Sequence, residues 1–454
     1  MPGILSRAEA SLIARQQWTQ GFKRTRIRPS YDGLGLANVP ALILQWLGAD
    51  KDGFAATTLP PLQPQLLGDE LVTKAWEQWL NAGAINHVIF LILDGLGYDQ
   101  LRDLIANGDT PNLAQACSSP QAFFMPITSV FPSTTTVALT SAATATSPAQ
   151  HGILATSMYL RELGSIVDFI AWRPKISPTN APLLDTQLNP DTFVPVANIY
   201  LRLEQAGVNT EIVNYHAFKQ SSISRYTSVG SKAGKDGFHG YLTPQQGFVQ
   251  LCDRISNQVS PKSFTYMYVP NVDASAHRHA PLSPHYRAEI SGIDFALQRE
   301  ILQPLQGRED TVLILIADHG QRVTNKEQIL WLNDHPGITD HLFVPPTGSS
   351  QARYLHVKHH REAQVIKYIE NYLDDDFMVI STDTACQLGL FGLADIPPYS
   401  RDRIGDLIVL PRDEWSCFHS FQPVSPEDRK NVNAGLHGGL GRAEMLIPFL
   451  AYRF

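Results

Sequence analysis

Three short apolar runs each deliver a carboxylate just past their last residue, and no other feature constrains the fold as much. His87–Leu93 is followed at once by Asp94, Thr311–Ala317 by Asp318, and Phe264–Val269 a few residues later by Asp273. Runs this short and this rich in β-branched residues, without polar alternation, read as strands buried on both faces of a parallel sheet. Glu211–Tyr215 and Leu407–Leu410 are further strand candidates, with helices expected at Val196–Ala206 and Pro284–Ile301. The pattern predicts an α/β sheet sandwiched by helices. In such sheets ligands bind beyond the carboxyl ends of strands, where all three aspartates would lie.

The alternation begins only at about residue 86. Residues 1–80 read as an N-terminal extension, with a short amphipathic helix at Glu9–Trp18 and a linker at Pro60, Pro61 and Pro64. Residues 81–454 read as the main α/β domain. Within it, Arg353–Val357 and Phe377–Ser381 look like strands around a helix at Arg361–Leu373, predicting a small α+β cap inserted at about 340–400. With 43% hydrophobic and 17% charged residues, disorder is excluded. A net charge of −7 argues against a nucleic-acid polymer as partner. The first twenty residues lack a signal-peptide run, and Val88–Leu93 is too short to span a bilayer. The four cysteines form no C-x-x-C pair. These features predict a cytoplasmic chain without a membrane partner; the oligomeric state is not legible.

The chemistry-bearing residues have ordinary explanations when taken singly. Asp94, followed by Gly95 and Gly97, could be a turn aspartate capping a helix. Asp273 and His277, four apart, would share one helical face, as would any solvated pair. Asp318-His319 could be a satisfied turn pair, with Gly320 allowing the turn. His437 lies in a glycine loop, Gly435-Leu-His-Gly-Gly439. The segment Phe131-Pro-Ser-Thr-Thr-Thr136, ahead of an Ala/Thr-rich stretch, predicts a helix start; its hydroxyls can cap that helix or offer an anion site. Together, three Asp and three His with a helix-terminal threonine suffice for two metal sites. Asp and His donors suit zinc or manganese, and two ions roughly 3.5–4 Å apart clamp an in-line phosphoryl transfer.

The order of these motifs resembles the alkaline phosphatase superfamily, and within it the type I phosphodiesterase/nucleotide pyrophosphatase family, from Asn86 to the C-terminus. The resemblance implies an alkaline-phosphatase-like fold. It implies a threonine nucleophile a fixed distance before His151-Gly152-Ile153, which a gapless count places at Thr135, with Thr134 the alternative. It assigns one metal to Asp94, Asp318, His319 and the Thr135 oxygen, and a second to Asp273, His277 and His437. The expected cofactors are two divalent ions, zinc before manganese. The expected activity is hydrolysis of a small phosphodiester or pyrophosphate through a threonine phospho-enzyme. Thr156 stands where the family's nucleotide pyrophosphatases carry a phosphate-binding asparagine; its hydroxyl can donate one hydrogen bond.

Competing readings use the same site. A phosphomonoesterase gains from an arginine that grips a dianion, and Phe131–Tyr159 contains none. Arg161 adjoins Glu162 and is expected to form a surface pair; Arg353 in the cap is unassigned. A sulfatase would need a Cys or Ser in a C-x-P-x-R-like setting. A phosphoglycerate mutase would need a serine and a longer transfer domain, and a headgroup transferase would carry membrane helices. A non-catalytic metal-binding protein remains the alternative from a different class. Tyr159, Trp172 and Tyr215 could line a pocket, although core packing is the commoner role of such residues.

Overall fold

The computed structural model describes residues 2–16, 22, 26–50, 57–177, 188–393 and 395–454. The strands of the two largest sheets are β1 His87–Leu93, β2 Ala122–Thr128, β3 Asn209–Tyr215, β4 Phe238–Tyr241, β5 Ser263–Val269, β6 Thr311–Ile316, β7 Thr347–Gly348, β8 Arg353–Leu355, β9 Phe377–Ser381, β10 Leu407–Pro411 and β11 Leu446–Arg453. Seven of them form the central sheet, in the order β2-β11-β6-β1-β5-β3-β4. All pairings are parallel except those of β11, which runs antiparallel to both β2 and β6. Helices flank the sheet, as the sequence pattern predicts.

The centre of the sheet is set by register. His87 pairs with Thr311 on one side and Ser263 on the other, so β1, β5 and β6 start level and end level. Their nearly equal lengths bring the aspartates that follow to one rim. The side chains of β1 from Val88 and all of those of β6 are buried, which explains why neither run alternates.

Leu407–Pro411 does not join this sheet. As β10 it pairs antiparallel with β8 and β9 in a four-stranded sheet ordered β7-β8-β10-β9. A short buried run carries no information on its partner, and here the partners are local. The helix Glu362–Tyr372 packs on that sheet. Leu330, Leu355, Val365, Phe377, Leu407 and Cys417 belong to its separate small core, whose span is broader than 340–400.

The segment before residue 80 is built into the main core. Leu12, Tyr31, Leu42, Leu62, Trp76 and Trp79 are buried in the same cluster as β1 and β6. The expected helix Glu9–Trp18 is observed as Pro2–Ala14, and Trp18 lies outside the described residues. The proline stretch is anchored by Asn38 Nδ2, which donates to Pro60 O at 2.8 Å. Among the described residues no helix is long and apolar enough to cross a membrane.

Candidate active site

Thr135 is the first residue of the helix Thr135–Thr144. There the backbone N–H groups lack intrahelical acceptors and the helix dipole favours negative charge. Its Oγ1 lies 3.1 Å from His319 Nε2 and faces a cavity. Thr134, the N-cap, makes no side-chain capping bond; its hydroxyl is buried without a partner and does not line that cavity. Of the two threonines, Thr135 lines that cavity and Thr134 does not.

Asp94 and Asp318 follow β1 and β6 and are both buried. In each, one oxygen is held and the other is bare. Gly95 N–H and His319 N–H donate to Asp318 Oδ1 at 3.1 and 2.9 Å, leaving Oδ2 without a partner. The Tyr268 hydroxyl donates to Asp94 Oδ2, leaving Oδ1 without one. The bare atoms lie 3.2 Å (Asp318 Oδ2) and 3.5 Å (Asp94 Oδ1) from His319 Nε2. The turn that makes this possible needs glycine: Gly95 has φ +73°, and a Cβ there would come within 2.9 Å of Asp273 Cα.

Asp273 and His277 lie on the helix Asn271–His279, which begins just after β5, so one turn carries both to the same side. Asp273 Oδ1 accepts from Gln321 Nε2 and lies 3.4 Å from His277 Nε2 and 3.7 Å from His437 Nε2. The glycine loop around His437 is clasped by Ser133, whose Oγ donates to Gly439 O at 2.9 Å and accepts from Gly438 N–H at 3.2 Å.

The three histidines share one arrangement. Nδ1 lies against a backbone carbonyl in each: Gly320 O for His319 (3.1 Å), Gly435 O for His277 (2.8 Å) and Ser133 O for His437 (2.8 Å). A carbonyl only accepts, so Nδ1 carries the proton and the Nε2 lone pairs point inward. Two of these, on His277 and His437, are 3.2 Å apart. Ligand atoms of Asp273, His277 and His437, and separately of Asp94, Asp273 and His319, lie within 4.8 Å of one another. Bare carboxylate oxygens and converging imidazole lone pairs, each oriented by a second hydrogen bond, are a donor set that fits divalent metal ions.

The electrostatics agree. Burial, then repulsion from Asp318 and Asp273, holds the Asp94 carboxyl well above its usual range; burial does the same to Asp318 and pushes Asp273 up to about 6. Burial lowers His319 to about 3, and His437 is lowered by burial and by its neighbours His319 and His277. The pocket resists negative and positive side chains alike, and a bound cation would reverse the penalty on the carboxylates.

Thr156 is half-buried before the strand Ser157–Leu160. Its carbonyl accepts from Phe169 N–H at 2.9 Å, and the residue does not line the cavity at Thr135. That cavity, of about 330 Å³, is lined instead by residues the sequence did not single out, among them Asn214, Phe218, Tyr266 and Tyr268. Tyr159 packs on Phe343 and His356, Trp172 is buried against Phe169, and Tyr215 packs on Phe218; none of the three lines the cavity. Arg161 reaches Asp402 at 3.9 Å rather than Glu162. Arg353 turns away, donating to Thr347 O and Cys417 O. Tyr268 and Gln321 were missed because their contacts cross from one strand end to another, which only register reveals.

His151, the family landmark, is structural. Buried at the end of Pro148–His151, its Nδ1 accepts from Ile153 N–H at 3.1 Å, so Nε2 carries the proton toward Ser141 Oγ at 2.9 Å. It ties the loop to the helix that Thr135 begins. Burial, aided by Arg403, lowers it to about 3.

Comparison with known proteins follows the geometry. A model of the type I phosphodiesterase/nucleotide pyrophosphatase family matches residues 88–440. Murine ectonucleotide pyrophosphatase/phosphodiesterase 5 superposes with a TM-score of 0.56 at 17% identity, covering 80% of this chain and 87% of that one. An inactive threonine-to-alanine variant of it in complex with AMP gives 0.56 at 17%, with coverages of 81% and 88%. Phosphonoacetate hydrolase from Sinorhizobium meliloti 1021, in complex with phosphonoformate, gives 0.58 at 16%, with coverages of 80% and 89%. No curated protein matches the chain in sequence. The chain belongs to the type I phosphodiesterase/nucleotide pyrophosphatase family, hydrolases acting on phosphoric ester bonds.

Proposed function

We propose that the chain hydrolyses phosphodiester or pyrophosphate bonds of small molecules through a phosphothreonine at Thr135, with two divalent metal ions, zinc before manganese. The observation that carries this is the convergence of imidazole Nε2 lone pairs and bare carboxylate oxygens on a hydroxyl at a helix N-terminus. Asp94, Asp318 and His319, with Thr135, would hold one ion; Asp273, His277 and His437 would hold the other. When bound, the ions would supply Lewis-acid charge to the phosphoryl group.

Thr135 gives up its hydroxyl proton, Oγ1 attacks phosphorus in line, the P–O bond to the leaving group breaks, the leaving oxygen takes up a proton, and the substituted phosphoryl group stays on Thr135. Water then attacks that phosphorus and returns the threonine. N–H groups of the first helical turn are placed to stabilise the phosphoryl oxygens. Asp94 and Asp318 are oriented by Tyr268 and by two backbone N–H groups, which removes reorganisation from the reaction.

The test is a panel run on metal-loaded protein: bis(p-nitrophenyl) phosphate, p-nitrophenyl phosphate, a nucleotide sugar, phosphonoacetate and a sulfate ester. Diester or pyrophosphate turnover that disappears with chelator and in Thr135→Ala is expected. Bound metal without turnover of any ester would instead identify a non-catalytic metal-binding protein.

A further inference from the structure

The cavity onto which Thr135 opens has a composition that selects its occupant. Its walls include Leu139, Tyr200, Ile212, Phe218 and Tyr266. Among the described residues its lining holds no lysine or arginine; its charged members are Asp94 and Asp273 of the metal site. A carboxylate or second phosphate placed there would meet no cation except at that site.

Among the described residues, Asn214 is the one amide in a lining whose other small polar side chains, besides Thr135, are the hydroxyls of Ser221, Ser224 and Thr227. It stands near the carboxyl end of β3, on the same rim of the sheet as Asp94 and Asp318, and is 7% exposed. Its Oδ1 accepts from Tyr215 N–H at 2.7 Å, which fixes which end of the amide is nitrogen. Nδ2 has no hydrogen-bond partner among the described residues. The residue lines the cavity shared with Thr135, where an acceptor atom of an occupant would pair with that amide.

The geometry points to Asn214 as a specificity-determining residue that donates to an acceptor atom, a carbonyl or ring nitrogen, on an uncharged flat substituent of the substrate phosphorus. The aromatic walls suit a flat group, and the neutral donor suits a neutral acceptor. The inference rests on the phosphodiesterase reading of the same site. It adds which side chain reads the substituent.

Two esters that release the same nitrophenolate separate the possibilities: thymidine 5′-(p-nitrophenyl phosphate), whose base carries carbonyl acceptors, and phenyl p-nitrophenyl phosphate, whose ring carries none. Asn214→Leu should reduce the kcat/KM ratio of the first to the second by about tenfold, the worth of one hydrogen bond. Asn214→Ser, smaller and still a donor, should retain part of the ratio and guards against misfolding of the leucine variant. An unchanged ratio overturns the assignment. Calorimetric binding of thymidine 5′-monophosphate to Thr135→Ala, with and without Asn214→Leu, gives a readout independent of turnover. About tenfold weaker binding supports the assignment, while equal binding, or no binding to Thr135→Ala itself, overturns it. Weakened binding together with no turnover of either ester by the native protein would sink the phosphodiesterase reading alone.

Discussion

Thr135 Oγ1 and His319 Nε2 lie 3.1 Å apart across 184 positions of sequence. The contact joins the first turn of a helix to the end of β6. It singles out one hydroxyl from the run Ser133-Thr134-Thr135-Thr136. Thr135→Ala should lower kcat by at least about a thousandfold, with melting temperature and metal content near native. Thr134→Ala should retain most activity. The reverse pattern in steady-state kinetics would move the nucleophile by one residue.

Two metal ions per chain are expected, because Asp and His ligand atoms gather in two clusters that share only Asp273. His277 contributes to one cluster only, so His277→Ala should leave about one ion bound and abolish turnover. Elemental analysis of active native protein showing a single ion would contradict this.

Tyr268 holds Asp94 Oδ2 and so leaves Asp94 one free oxygen. Removing that hydroxyl while keeping the ring should loosen the ligand. Tyr268→Phe should weaken metal binding by about 10–100-fold, measured by competition with a chromogenic chelator. Gln321→Leu should act similarly through Asp273. Native affinity in both variants would show that these contacts do not orient the carboxylates.

His151 gives the chain a pH signature independent of metal. Its folded pKa, about 3, lies below the ordinary 6.5, so the unfolded chain binds the extra proton. The stability it contributes is complete above pH 6.5 and is lost as pH falls from there toward 3, by about 1.4 kcal/mol per pH unit. Other buried histidines add to the native slope. The informative quantity is the difference from His151→Gln: between pH 6.5 and 5 its denaturation free energy should vary less steeply by about one proton. Identical slopes would refute this role.

Diesters should be preferred to monoesters. The two arginines weighed from the sequence are otherwise engaged, Arg353 with Thr347 and Cys417 and Arg161 near Asp402, and Arg403, beside His151, donates to Gly152 O. A dianion therefore lacks the bidentate grip it would gain from. On bis(p-nitrophenyl) phosphate and p-nitrophenyl phosphate, catalytic efficiency should favour the diester by about tenfold or more. A clear monoester preference would reject diester specificity while leaving the threonine mechanism intact.

The residues that became legible in sequence are those whose position follows from local pattern. Asp94 and Asp318 end apolar strands, Asp273 and His277 share a helical turn, and His437 sits among glycines. β2 was missed because Pro126 lies in its middle, which argues against a strand. In the structure Pro126 faces Pro448 of β11, and β2 is an edge, so no partner beyond it needs the absent donor. Leu407–Pro411 was recognised as a strand but given the wrong sheet. Thr156 was located by counting, and counting does not report which way a loop faces. Asn214, Tyr268 and Gln321 had no local signal, since their importance arises from the alignment of β3, β5 and β6.

The placement of β11 also dictates the order in which the molecule can be completed. It is the last strand in the chain, yet it lies between β2 and β6 and separates them with antiparallel pairings on both sides. Until Leu446–Arg453 has left the ribosome, β2 and β6 each present an open, buried-type edge of apolar residues. Such edges recruit other chains. The nascent protein therefore carries an aggregation hazard that persists until β11 has been made. Its native sheet closes through contacts more than three hundred residues apart, the slow non-local kind.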